Sequence, residues 1–127
     1  MNVDGGARGN PGPAAIAAVA TTPDGEELTS RGQPIGRATN NVAEYRAMLL
    51  GIELARDLGA SEVELVGDSE LIVKQVRGEY KVKNADLRPL RDEVRAGLRG
   101  FDGWTIRHVR REQNEAADSL VNETLDA

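Results

Sequence analysis

Four carboxylates, Asp4, Glu44, Asp68 and Asp118, are the side chains of this sequence whose type and setting best suit chemistry. Asp4 stands ahead of a run of glycines and prolines, Gly5-Gly6-Ala7-Arg8-Gly9-Asn10-Pro11-Gly12-Pro13, which would let a ligand approach the backbone closely. Asp68 follows an alternating segment and lies in Gly67-Asp68-Ser69, so two acids are expected at strand ends, where ligands collect in open α/β sheets. Glu44 is expected in the first turn of a helix and Asp118 in the first half of another. Gathered in one place, four carboxylates repel strongly unless cations neutralise them. Hard oxygen donors without Cys or paired His suit Mg2+ or Mn2+ and not zinc. Two such ions roughly 3.5–4 Å apart are the usual device for cleaving a phosphodiester. Taken singly, each acid also has an ordinary reading: a strand turn for Asp4, a macrodipole charge for Glu44, a helix cap for Asp68, a solvated helix position for Asp118.

The elements that must position these acids follow from periodicity. Ala14 to Thr22 reads as a strand, Pro23-Asp24-Gly25 as a turn and Glu26 to Ile35 as the returning strand. Thr39-Asn40-Asn41 offers a helix N-cap ahead of Ala43, Ala47, Leu50, Leu54 and Leu58, with Gly59 as the stop. Ser61 to Val66 alternates as a strand, and Leu71 to Val76 suits a short helix stopped near Gly78. Gly78 to Lys83 is a polar linker. Helical spacing resumes from Ala85 to Leu98, with Pro89 about one turn inside. Gly103 to Val109 alternates as a last strand, begun by Trp104 as a packing residue. A helix is then expected from about Gln113 to Leu125, with Ala116, Ala117, Leu120, Val121 and Leu125 on its core face. Consecutive strands followed by helix-separated strands imply an α/β fold: a mixed sheet, part antiparallel and part parallel, with helices on both faces. Met1-Asn2-Val3 leaves only a stubby first strand before Asp4.

With 127 residues, 39% hydrophobic and 29% charged, the chain is expected to form one domain over residues 1–127. The absence of cysteine excludes disulfides, thiolate metal sites and a cysteine nucleophile, and fits a reducing cytoplasm. No apolar segment approaches membrane-spanning length, so no membrane partner is expected. A formal charge of -5 argues against coating nucleic acid by bulk attraction. Local binding, with cations in the carboxylate cluster and a few Arg and Lys on one face, remains compatible with it.

The motifs Asp4-Gly5-Gly6-Ala7-Arg8-Gly9-Asn10-Pro11-Gly12, Thr39-Asn40-Asn41-Val42-Ala43-Glu44, Gly67-Asp68-Ser69 and His108 to Asp118 resemble those of type 1 ribonuclease H, in that family's order and over essentially the whole chain. The resemblance implies a ribonuclease H fold, with a five-stranded mixed sheet of three antiparallel strands then two parallel, flanked by helices. It implies hydrolysis of the RNA strand of RNA–DNA hybrids with Mg2+ or Mn2+, leaving 5′-phosphate and 3′-hydroxyl ends; a monomer is expected separately. Asp4, Glu44, Asp68 and Asp118 fall on the family's metal-binding catalytic positions, with Glu44 also beside the 2′-hydroxyl. Asn10, Asn40 and Asn41 match its minor-groove contacts, and Arg37, Thr39 and Asn84 its pocket for a phosphate of the DNA strand.

The sequence departs from many bacterial relatives in two ways. The long basic insertion is reduced to Gly78 to Lys83, as in an archaeal-like branch, so weaker or redistributed substrate affinity is expected. The connection Arg110-Arg111-Glu112-Gln113 is too short for the loop that carries a mobile histidine. His108, Arg111, Glu112 and Glu70 are therefore candidates for auxiliary roles, with ordinary packing or exposure as the alternative for each. Alternative functions are a broader nuclease that also cleaves double-stranded RNA, a catalytically silent hybrid-binding module, and a DNA-cutting nuclease of the same fold.

Overall fold

The computed structural model describes residues 1–127. Strand β1 (Asn2–Ala7) runs into β2 (Gly12–Thr21) and β3 (Glu27–Ala38), followed by α1 (Asn40–Asp57), β4 (Glu62–Gly67), α2 (Glu70–Arg77), α3 (Arg88–Leu98), β5 (Gly103–His108), a 3-10 turn (Arg111–Gln113) and α4 (Glu115–Asp126). The sheet order is β3-β2-β1-β4-β5. The first three strands are antiparallel neighbours, whereas β4 runs parallel to both β1 and β5. This is the mixed five-stranded sheet expected from the element order.

The unbroken apolar run of β2 is explained by burial on both faces. Ala14, Ile16, Ala18 and Ala20 join the main core, with Tyr45, Met48 and Leu50 of α1 and with Val94 and Leu98 of α3. Ala15 and Ala17 point the other way, against Val121 of α4. Strands buried on both sides lose the apolar–polar alternation of half-exposed ones.

Several boundaries differ from expectation. β1 is no stub: Gly5, Gly6 and Ala7 pair with Ile16, Ala15 and Ala14, so the strand continues through the glycines and Asp4 lies within it, opposite Ala17. α1 begins at Asn40, capped by Thr39 Oγ1, which accepts from Val42 N at 3.2 Å. Glu44 is therefore one turn in, beyond the reach that a macrodipole reading requires. α3 starts at Arg88, three residues later than its periodicity suggests. Leu87, Arg88 and Asp86 are held instead by Asn84, whose carbonyl and side-chain Oδ1 accept from their backbone amides, and Pro89 takes the first-turn position where its missing N–H costs nothing. α4 starts at Glu115 behind the 3-10 turn, and Ala116 is exposed while Ala117 and Val121 are buried. Trp104, on the edge strand β5, is also exposed, at 39%, whereas Ile106 two residues on is buried. No helix is long and apolar enough to cross a membrane.

Candidate active site

The parallel pairing of β1 with β4 brings Asp4 beside Asp68, which follows the last residue of β4. Helix α1 crosses β1 at Gly5, where a Cβ would fall inside the Ala43 carbonyl; the missing side chain lets the helix lie directly on the strand. The next residue, Glu44, then reaches Asp4. Carboxylate oxygens of Asp4, Glu44 and Asp68 lie within 4.8 Å of one another. Asp118 of α4 is outside that tight group. It lines the same cleft, of about 420 Å3, and its carboxyl is close enough to Asp4 to raise that residue's pKa.

The electrostatic cost of this crowding is large. Asp4 is pushed up to about 7, first by burial and then by the Asp68 charge, with Asp118 adding to it. Glu44 is held well above the ordinary carboxylate range by burial, then by Asp4 and Asp68. Asp4 and Glu44 face one another closely enough that each influences the other's proton affinity. Buried acids that oppose one another in this way are what a bound cation would relieve. The donor set of carboxylate oxygens alone fits a hard divalent ion such as Mg2+ or Mn2+.

The other expected residues divide into groups. Asn40 and Asn41, at the start of α1, and Arg111 line the cleft with the acids. Asn10 ties the glycine turn to α1: its Oδ1 accepts from Asn40 N at 3.0 Å, while Asn40 Oδ1 accepts from Ala7 N at 2.9 Å. Arg37 is exposed at the end of β3, opposite Pro13. No hydrogen bond joins Arg37, Thr39 and Asn84; the Thr39 hydroxyl caps α1, and Asn84 Oδ1 accepts from Asp86 N at 2.8 Å. His108 is half-buried at the end of β5, beside Gly67 in the sheet register. Glu70 is turned to Lys74 in a 2.8 Å ion pair and lies outside the acidic group. Glu112 is exposed on the 3-10 turn.

Ser69, and not Asp68, caps α2, accepting from Ile72 N. The Asp68 carboxylate is instead addressed by Asn114, a residue that sequence reasoning passed over. Asn114 is 1% exposed, and its Nδ2 donates to Val3 O at 2.9 Å and to Asp68 Oδ2 at 3.3 Å. Its Oδ1 accepts from Asn2 Nδ2 at 3.0 Å. An Asn directly before an amphipathic helix reads as an N-cap, yet here the side chain makes no cap bond and turns inward. It joins β1, the end of β4 and the entry to α4, the three segments that carry Asp4, Asp68 and Asp118.

A family model described as Reverse transcriptase-like matches residues 2–124. Ribonuclease HI of Halobacterium salinarum is 50% identical over 97% of this chain. The chain belongs to the ribonuclease H family. A crystal structure of RNase H1 from the same halophilic archaeon superposes with a TM-score of 0.96 at 49% identity, covering 98% of this chain and 95% of that one. LC11-RNase H1, solved in complex with an RNA/DNA hybrid, superposes with a TM-score of 0.93 at 42% identity, covering 98% and 94%. The ribonuclease H unit described here spans 62% of the length of the Halobacterium relative and 35% of a 44% identical Mycobacterium tuberculosis relative named as a bifunctional protein.

Proposed function

We propose that this chain is an endoribonuclease that hydrolyses the RNA strand of RNA–DNA hybrids, acting as a single monomeric domain over residues 1–127. The observation that carries the reading is the meeting of Asp4, Glu44 and Asp68 within 4.8 Å, with Asp118 facing the same cleft. Support comes from the ribonuclease H relatives and from a neighbour that was solved with a hybrid bound.

In this reading Asp4, Glu44, Asp68 and Asp118 would together hold two Mg2+ or Mn2+ ions, which would activate water and hold the leaving oxygen. Bound ions of this kind lower the pKa of water and neutralise charge on the phosphate in in-line displacement. Hydrolysis adds water across the P–O3′ bond: the hydroxyl oxygen goes to phosphorus and a proton to the leaving 3′ oxygen, giving 5′-phosphate and 3′-hydroxyl ends. Glu44, at the junction of cleft and α1, also accepts a hydrogen bond from the 2′-hydroxyl next to the scissile phosphate, which distinguishes RNA from DNA. Asn10, Asn40 and Asn41 contact the minor groove. Arg37, Thr39 and Asn84 are donors suited to a DNA-strand phosphate. Arg111, which lines the cleft, is a candidate contact for substrate or metal-bound water, and His108, the sheet partner of Gly67, is a candidate auxiliary residue.

Incubating the protein with a hybrid labelled on either strand, with Mg2+ or Mn2+ and with EDTA, tests the reading. Cleavage confined to the RNA strand and abolished by EDTA is expected. An intact hybrid in every condition, with folding verified by circular dichroism, would overturn it; a parallel double-stranded RNA substrate reads out the broader specificity.

A further inference from the structure

The cleft is acidic, yet its substrate in the reading above is a polyanion, so the cations at its wall matter. Only Arg8 and Arg111 supply positive charge to that wall. Arg8 lies in the turn between β1 and β2, four residues after Asp4 and two before Asn10. Its backbone is fixed: Arg8 N donates to Pro13 O at 2.8 Å, and the turn is laced to α1 through Asn10 and Asn40. Its side chain is not fixed by packing. The guanidinium reaches across the rim to the last residue of α4, with Nη1 2.6 Å from Asp126 Oδ1, and both side chains are about half exposed or more, at 48% and 65%.

Nothing in α4 itself favours a carboxylate at that position, because the C-terminal end of a helix repels negative charge and its last turn holds no base. An ion pair between exposed groups is also weak and screened by salt. A phosphodiester offers the same guanidinium two anionic oxygens in the geometry it prefers. We propose that Arg8 is a backbone-phosphate contact for the bound nucleic acid, held at the cleft rim by Asp126 until a phosphate displaces that carboxylate. This rests on the nuclease reading and adds a residue to it. Asp126 then acts as a competitor for Arg8 and lowers affinity for every nucleic acid alike, without discriminating sequence.

The test is steady-state cleavage of a labelled RNA–DNA hybrid in Mg2+, at several KCl concentrations, by the wild type, Arg8→Ala, Asp126→Asn and the double variant. Arg8→Ala is expected to raise KM about 3–10-fold with kcat within about twofold, and to reduce the slope of log KM against log salt by about one. Asp126→Asn is expected to lower KM about 2–3-fold by freeing the guanidinium, and the double variant to behave as Arg8→Ala alone. Arg8→Gln, with thermal melting of each variant, guards against a folding defect. An Arg8→Ala enzyme with unchanged KM and salt slope would overturn the assignment. So would an Asp126→Asn enzyme whose KM rises as in Arg8→Ala, since the pair would then be a structural latch. A wild type that cleaves no hybrid at all would instead remove the nuclease reading, and this contact with it.

Discussion

At Asp4 and Glu44 the chain places acids where burial and neighbouring charge both resist ionisation. Asp4 rises from 3.8 to about 7, so in metal-free protein the folded state holds this proton more tightly than the unfolded chain does. Its contribution to stability is complete below about pH 4 and is lost as pH climbs through 7. Metal-free wild type should therefore lose stability across that window relative to Asp4→Asn, and at pH 8 the variant should melt higher. A gain of roughly 3–5 °C corresponds to ~1 kcal/mol in a domain of this size; equal or lower melting of Asp4→Asn at pH 8 contradicts the electrostatic account. Asp68→Asn should abolish cleavage with an unchanged circular dichroism spectrum, and retained cleavage would remove Asp68 from the metal set. Asn114 poses a different problem, because its buried side chain makes three hydrogen bonds, donating to Val3 O and Asp68 Oδ2 and accepting from Asn2 Nδ2. Replacing it with Ala strands the Val3 carbonyl and releases Asp68, so a loss of about 2–3 kcal/mol in chemical denaturation is expected, with a fall in kcat larger than any rise in KM. Composition alone would not have singled out the four carboxylates; they were legible in the sequence through their joint placement at expected strand ends and helix starts and through the motifs of the ribonuclease H family. Asn114 was not, because its role depends on contacts with Asn2, Val3 and Asp68, more than 40 residues away along the chain.

Among the elements, the pairing of β1 with α1 decides whether the acids meet. The Ala43 carbonyl occupies the space a side chain at Gly5 would need. Gly5→Ala should therefore push α1 off the sheet, costing about 3 kcal/mol or more and moving Glu44 away from Asp4. Urea denaturation together with cleavage assays checks this; a stable, fully active Gly5→Ala would show that the close approach is dispensable. Strand and helix identities were readable from period 2 and period 3.6, because most elements bury one face. Their ends were less so. β1 continues through Gly5 and Gly6 because it has β2 to pair with, and α3 waits until Arg88 because Asn84 holds the preceding backbone in a turn. Trp104 was expected to pack, core or half-buried, but it is 39% exposed near the start of β5 while Ile106 on the same face is buried, a difference that local alternation does not encode.

Over the whole molecule, charge is divided unevenly. Residues 71–99 carry eight Lys and Arg against four Asp and Glu, within a chain of net charge -5. Much of that positive charge is structural: Arg77 donates to Ile106 O, Arg88 to Val82 O and Arg95 to Val76 O. Lys81 and Lys83 remain exposed in the short linker. The carboxylate cleft, by contrast, gathers four acids, with burial and neighbouring charge opposing the ionisation of Asp4 and Glu44, so divalent ions that bind only the native state should stabilise the domain. Mg2+ or Mn2+ at about 100 times its dissociation constant should add roughly 2.7 kcal/mol, read as a rise in melting temperature that Asp68→Asn blunts. The most direct measurement of the central claim is a crystal structure of the protein soaked in Mn2+, with anomalous scattering locating the ions. Two peaks about 3.5–4 Å apart, bridged by Asp4 and flanked by Glu44, Asp68 and Asp118, are the expected result. Peaks elsewhere, or none in the cleft at a Mn2+ concentration that supports cleavage, would contradict it.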